Sequence, residues 1–123
     1  DKNMTETQKN YTAWTQMWNG NLDLADEILS PTFKAHLTSD STPPPAPVID
    51  ISSAKAWINT IRSKADALHY EIVLGPFRDE DFIAAYWRVT ATLGDKKAVK
   101  VGTDFLKIKD GKITDCWTMN NRE

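Results

Sequence analysis

With a single cysteine, Cys116, the 123-residue chain cannot close an internal disulfide. No apolar run approaches the length of a membrane span or a secretory signal, so no membrane partner is read and a reducing, cytoplasmic setting is the default. Positive charge is not concentrated anywhere: 15 Lys and Arg face 17 Asp and Glu, for a net charge of -2, and the basic residues are scattered. A basic stripe that would neutralise a phosphate backbone is missing, which argues against nucleic acid. The two histidines lie far from each other and from Cys116, and no His-x-x-x-His spacing occurs, so no metal site is read. The five glycines are isolated, which leaves no phosphate-cradling loop and no nucleotide cofactor. Ser52-Ser53 lacks the context of a nucleophile and reads as a helix cap.

What the chain has in abundance is tryptophan: Trp14, Trp18, Trp57, Trp87 and Trp117. Large rings fill a core, and they also wall a ligand cavity. At this length one domain, residues 1–123, holds everything.

Thr5 and Gln8 have capping-box spacing, and Tyr11, Trp14, Met17 and Trp18 recur at helical intervals before Asn19-Gly20 ends the run. Asp23 caps a short second helix that stops near Ser30, ahead of Pro31. "FKAHL" at 33–37 alternates as a strand, and "TSDSTPPPAPV" at 38–48 reads as a polyproline-like loop within the domain. Asp50, Ser52 or Ser53 caps a third helix with Ala54, Trp57, Ile58, Ile61 and Ala65 on one face. From His69 onward β-branched and aromatic residues dominate, cut at 77–81, 93–97 and 109–112 into four strands of an antiparallel meander. Helices followed by strands make the α+β class, with the helices on one face of the sheet.

The last hairpin, "GTDFLKIKDGKITDCW" at 102–117, carries an acid within an apolar alternation. Asp110-Gly111 suits a two-residue turn, which pairs Lys109 with Lys112 and then Ile108 with Ile113, Leu106 with Asp115, Asp104 with Trp117 and Gly102 with Met119. A three-residue turn with a bulge shifts this register and pairs Ile113 with Lys107 instead; the apolar pattern favours the first. Asp104 then faces the core, where a carboxyl loses hydration and must find donors or keep its proton. A protonated acid there donates to a developing oxyanion, and an ionised one serves as a base; the plain alternative is an Asp bonded to a neighbouring Lys or indole N–H.

A helical hairpin, a strand with "F-x-x-H", a third helix, and a meander ending "G-x-D-F-L-K-I-x-D-G-K-I-x-D-x-W" resemble the SnoaL-like branch of the nuclear transport factor 2-like superfamily. The resemblance runs from Tyr11 to Asn121 and leaves the Pro-rich loop 41–47 unmatched. It implies a cone-shaped roll, three N-terminal helices packed in a strongly curved antiparallel sheet, with a pocket open at one end. The superfamily holds polyketide cyclases, ketosteroid isomerase, scytalone dehydratase and limonene epoxide hydrolase, so the fold alone does not select a reaction.

By that resemblance, Asp104 falls where ketosteroid isomerase keeps its protonated oxyanion-hole acid. The isomerase's partner tyrosine aligns with Ala13 and its general base falls near Leu37, so its mechanism is not carried over. The acid that cyclases place after the final tryptophan lands on Asn120 or Asn121, which cannot transfer a proton. His36 sits where SnoaL-like proteins often place a polar residue at the pocket mouth, with a side-chain pKa suited to proton transfer. The expected site is therefore Asp104 and His36 as catalytic residues, lined by Trp14, Met17, Trp87, Leu106, Trp117, Met119 and Asn120. The expected ligand is a small apolar or polycyclic molecule bearing a carbonyl, handled without cofactor or metal by an isomerase, cyclase or dehydratase. The alternative is a ligand-binding or accessory module without chemistry, and Phe105, Tyr86 and Thr103 on the outer sheet face make a homodimer the expected assembly. Convergence of Asp104 and His36 on one cavity separates these readings.

Overall fold

The computed structural model describes residues 5–38 and 43–122. Helix α1 (Glu6–Trp18) starts at a reciprocal cap: the Gln8 N–H donates to the Thr5 hydroxyl, and the Thr5 N–H donates to Oε1 of Gln8. Its buried stripe is Tyr11, Trp14, Met17 and Trp18, spaced three or four apart as a 3.6-residue turn requires. Helix α2 (Leu24–Ile28) leads directly into strand β1 (Leu29–Leu37). That strand begins four residues before the "FKAHL" expected from sequence, and it contains Pro31. A proline is tolerated because β1 is an edge strand, where its missing N–H interrupts no ladder.

Of the Pro-rich segment 41–47, Ser41 and Thr42 lie outside the described residues. Beyond it Val48 is buried, and its carbonyl accepts a hydrogen bond from the Ala35 N–H at 3.1 Å, which fastens the returning chain to β1. Helix α3 (Ile51–Arg62) is capped by Asp50, whose carboxylate accepts from the Ser53 N–H at 2.8 Å. Its last residue turns back: Arg62 Nη1 donates to the carbonyls of Trp18 at 2.8 Å and Leu68 at 3.1 Å, so the ends of α1 and α3 are held together.

Strands β2 (Ala67–Asp79), β3 (Phe82–Leu93), β4 (Lys96–Lys109) and β5 (Lys112–Arg122) form the antiparallel meander. The sheet order is β1-β5-β4-β3-β2. One pairing departs from the all-antiparallel expectation: β1 joins β5 in parallel, so the curved sheet is mixed. Parallel pairing needs a long crossover, and everything from α3 to β4 supplies it. The helices cover one face, where Ile83, Leu106, Ile108, Ile113 and Cys116 pack against Tyr11, Trp14, Met17 and Ile58.

The final hairpin corrects the sequence-derived register. Asp110 and Gly111 both have positive φ, 53° and 78°, and Lys109 pairs with Lys112 and Ile108 with Ile113, as the Asp-Gly turn requires. Immediately afterwards the register slips by one residue at Thr114, so Lys107 opposes Asp115, Leu106 opposes Cys116, Phe105 opposes Trp117 and Asp104 opposes Thr118. Without the slip, Asp115 would face Leu106 in the core. With it, the small apolar Cys116 takes the buried place and the charge turns outward. A one-residue slip exchanges faces for all that follows: Trp117 and Met119 move to the outer surface, while Thr118 and Asn120 move in.

Candidate functional site

The α1 stripe and the inner face of the sheet do not close completely. Between them lies a cavity of about 200 Å³, which is lined as far as the ends of α3 and β3. Its deep end is Tyr11, Trp14, Asp104 and Thr118, all buried, and its outer end includes the exposed Lys64, Leu93, Ala98 and Lys100. Trp18, Trp57, Tyr70 and Trp87 form the walls between. These rings brace one another edge to face, Trp18 against Trp57 at 4.7 Å between centroids and Tyr70 against Trp87 at 5.5 Å.

Trp87 keeps its place because its cross-strand neighbour is Gly102. A Cβ on Gly102 would lie 2.4 Å from Trp87 Cζ2 and 2.6 Å from the Met119 carbonyl oxygen, closer than atoms pack. The bare backbone therefore lets the indole lie across β4 and wall the cavity.

Asp104 is 7% exposed and enters from β4. The Trp14 N–H donates to its Oδ2 at 2.9 Å, and its Oδ1 has no partner. Burial pushes the Asp104 carboxyl above the ordinary carboxylate range, an effect partly offset by the Thr118 hydroxyl and the Trp14 N–H, with the polar groups of Trp87 and Tyr11 nearby. The surroundings resist negative charge throughout: burial, then the proximity of Asp104, raises the Tyr11 phenol, the Tyr70 phenol and the Cys116 thiol. Several polar atoms in this region lack partners, namely the Tyr11 hydroxyl and the indole N–H groups of Trp18, Trp57 and Trp87. These atoms are themselves buried, on residues that line the cavity, and orphaned donors so placed are groups that the acceptor oxygens of a seated ligand would satisfy.

The residues expected from sequence divide into three groups. Asp104, Trp14, Trp87 and Asn120 line the cavity. Met17 and Leu106 are packed into the core, 1% and 0% exposed, and do not reach it. Trp117 and Met119 stand on the opposite face of the sheet because of the slip at Thr114, which corrects their assignment to the pocket wall.

His36 is likewise on the outer face. It is exposed, bonds through Nε2 to Asp115 Oδ2 at 2.9 Å and stacks on Trp117 at 4.6 Å. Hydrogen bonding and charge from His36 hold the Asp115 carboxyl below its usual range, outweighing the upward push of partial burial. Asp104 and His36 thus lie on opposite sides of one sheet, and the convergence that the catalytic pair required does not occur. The resemblance had placed His36 at the pocket mouth; in the fold β1 pairs with β5 so that His36 lies beside Trp117 on the outer face.

Sequence reading passed over Tyr11, Tyr70, Thr118 and the two lysines. Tyr11 had a signal: it is three residues ahead of Trp14 on the same helical face, whereas the resemblance had pointed to Ala13. Among the described residues no group of three or more His, Cys, Asp or Glu is placed to hold a metal ion. No described helix is long and apolar enough to cross a membrane.

Residues 8–116 match the SnoaL-like domain. No curated protein matches the chain. Among solved structures, a candidate polyketide cyclase from Acidithiobacillus ferrooxidans superposes with a TM-score of 0.81 at 19% identity, covering 96% of this chain and 89% of that one. IdmH, a candidate polyketide cyclase from Streptomyces antibioticus, gives 0.78 at 14% identity, covering 95% and 93%. AclR, a candidate hydroxylase from Streptomyces galilaeus, gives 0.74 at 16% identity, covering 96% and 80%. At these identities the likeness is one of fold.

Proposed function

This chain belongs to the SnoaL-like family, and from that premise we propose that it binds a small apolar ketone or related carbonyl compound and polarises its oxygen with Asp104 and Tyr11. The observation that carries this reading is the pair of unpartnered oxygens, Asp104 Oδ1 and Tyr11 Oη, at the buried end of an aromatic cavity. Burial favours the protonated carboxyl, and in that form the acid joins the Tyr11 hydroxyl as an O–H donor to one acceptor. A neutral aspartic acid beside a tyrosine is the donor pair that stabilises a dienolate in ketosteroid isomerase. Here the tyrosine stands two positions earlier on the helix than the resemblance indicated, on the buried face.

Two such donors stabilise negative charge on the ligand oxygen as an adjacent C–H bond gives up its proton. The ligand is left as an enolate or enol, ready for isomerisation, ring closure or loss of water. The titratable groups beside Asp104, namely Tyr11, Tyr70 and Cys116, are all held in their neutral forms. The departing proton therefore goes to a water carried into the cavity beside the ligand or to a basic group on the ligand itself. Asn120 lines the cavity, where it orients a ligand by hydrogen bonding without transferring a proton. The same lack of a side-chain base favours a second reading, capture of the carbonyl compound without turnover.

The exposed outer-face residues Leu74, Phe77, Phe105 and Met119 support a homodimer formed through the sheet. The single, buried, unpaired Cys116 suits a reducing, cytoplasmic setting.

Tryptophan-fluorescence titration with acetylnaphthalene and ethylnaphthalene tests the site, because only the ketone accepts a hydrogen bond. The ketone is expected to bind about tenfold more tightly, and Tyr11→Phe combined with Asp104→Leu is expected to erase the difference. Equal affinity for ketone and hydrocarbon in the unaltered protein would overturn the assignment. Deuterium exchange of the ketone's methyl protons, followed by NMR, separates the two readings: exchange above the solvent rate supports catalysis, and binding without exchange supports capture.

A further inference from the structure

The outer end of the cavity differs in chemistry from its walls. Lys64, just past the end of α3, and Lys100, near the start of β4, both line it and both are exposed. Among the described residues neither lysine enters an ion pair. Asp66, the acid two residues after Lys64, is engaged elsewhere: its carboxylate accepts the Gly94 N–H at 2.6 Å. The rest of the mouth is apolar, with Leu68, Ala91, Leu93 and Ala98. Two ammonium groups without an ion-pair partner among the described residues therefore stand at the entrance of an apolar channel, in a protein whose net charge is -2.

Inside, the orphaned groups are mainly donors, three indole N–H groups and a phenol, so the cavity as a whole favours a ligand rich in acceptor oxygens. Ring faces and a carboxyl group would also suit a cation. The two lysines at the entrance oppose that alternative, since like charges repel where water is being removed.

Geometry limits the size of the ligand. Lys100 and Asp104 point into the cavity from the same strand four residues apart, so their Cα atoms are about 13 Å apart. The volume of this open-ended cavity, about 200 Å³, somewhat exceeds the roughly 150 Å³ of an engineered cavity that takes up benzene. One or two fused rings fit within it, and a larger polycycle would extend through the mouth.

We propose that the mouth is an anion subsite, in which Lys64 and Lys100 receive the carboxylate of a one- or two-ring aromatic keto acid whose ketone oxygen reaches Asp104. This inference rests on the carbonyl-binding reading of the deep end and adds the charge, length and ring number of the ligand. The lysines also give the pocket a means of steering, because an anion is drawn to the entrance before its rings are buried.

The test uses three matched probes with substituents at opposite ends of one naphthalene: an acetylnaphthoate, its methyl ester, and the corresponding acetylnaphthylmethylammonium ion. Each is titrated by calorimetry against the unaltered protein and against Lys64→Gln combined with Lys100→Gln, whose fold is checked by circular dichroism. The acid is expected to bind on the order of tenfold more tightly than the ester at low salt, with the advantage shrinking as salt is added. In the double variant its affinity is expected to fall to that of the ester.

An ester that binds as tightly as the acid overturns the anion subsite while leaving the carbonyl site standing. An ammonium probe that binds best overturns it in favour of a cation held by Asp104 and the rings. An acid preference that survives in the double variant overturns the assignment to these two lysines. Failure of both acid and ester to bind removes the carbonyl-binding reading, and this inference with it.

Discussion

Replacing Asp104 by asparagine isolates the feature on which the proposed chemistry depends, the protonation state of a carboxyl that is 7% exposed. Asparagine has the same shape and keeps an oxygen to accept the Trp14 N–H, which now donates to Oδ2 at 2.9 Å. What it removes is titration. The Asp104 pKa is raised in the folded protein by burial, so between the ordinary carboxylate pKa and the raised value the native state binds more protons than the unfolded chain. Stability then falls as pH rises through that interval, and the acid's contribution is fully present only below it.

The asparagine variant has no such loss. It is expected to match the parent at about pH 4, near the unperturbed value, and to exceed it progressively at higher pH. Leaving a buried, incompletely paired group costs about 1–3 kcal/mol, which for a chain of this length corresponds to roughly 4 °C in Tm per kcal/mol. Thermal melts by circular dichroism across the pH series, with urea unfolding at the two ends, measure it. A difference that does not change with pH, or a parent that is the more stable at high pH, would refute the reasoning. Either result would mean that the polar groups around the carboxyl, the Thr118 hydroxyl and the Trp14 N–H foremost, are enough to keep it ionised.

Gly102→Ala places a methyl group against Trp87 and the Met119 carbonyl, so it is expected to lower stability by about 1–3 kcal/mol. It should also weaken ligand binding through displacement of the indole, measured by thermal melts and near-UV circular dichroism. Phe105→Lys, at an exposed outer-face position between Ala84 and Trp117, is expected to break the proposed sheet-face dimer in sedimentation velocity while leaving the melting profile intact at low concentration; an unaltered protein that sediments as a monomer would overturn that dimer.

Much of the fold was legible in the chain because the relevant signals are local. Thr5 with Gln8 and Asp110-Gly111 each act within a few residues and are found where their chemistry placed them; of the three candidates for the α3 cap Asp50 takes the role, and Asp23, expected to cap α2, makes no side-chain capping bond among the described residues. Asp104 faces inward, in phase with Leu106 and Ile108 along one unbroken strand. The cavity was less legible. Tyr11 belongs to the same stripe as Trp14, but nothing in that stripe states which ring will close the core and which will border a void.

By itself, then, the sequence determined the elements, their order, the α+β class and the inward direction of Asp104, since capping, turn chemistry and side-chain alternation are decided by neighbours in the chain. Tertiary structure alone decided which face β5 shows beyond Thr114. A slip of one residue costs little locally, and the choice depends on whether Asp115 or Cys116 is buried against Leu106. That choice carried Trp117 and Met119 outward, and His36 lies with them on the outer face, away from Asp104. It also brought Thr118 to Asp104, leaving Tyr11 as the partner to test.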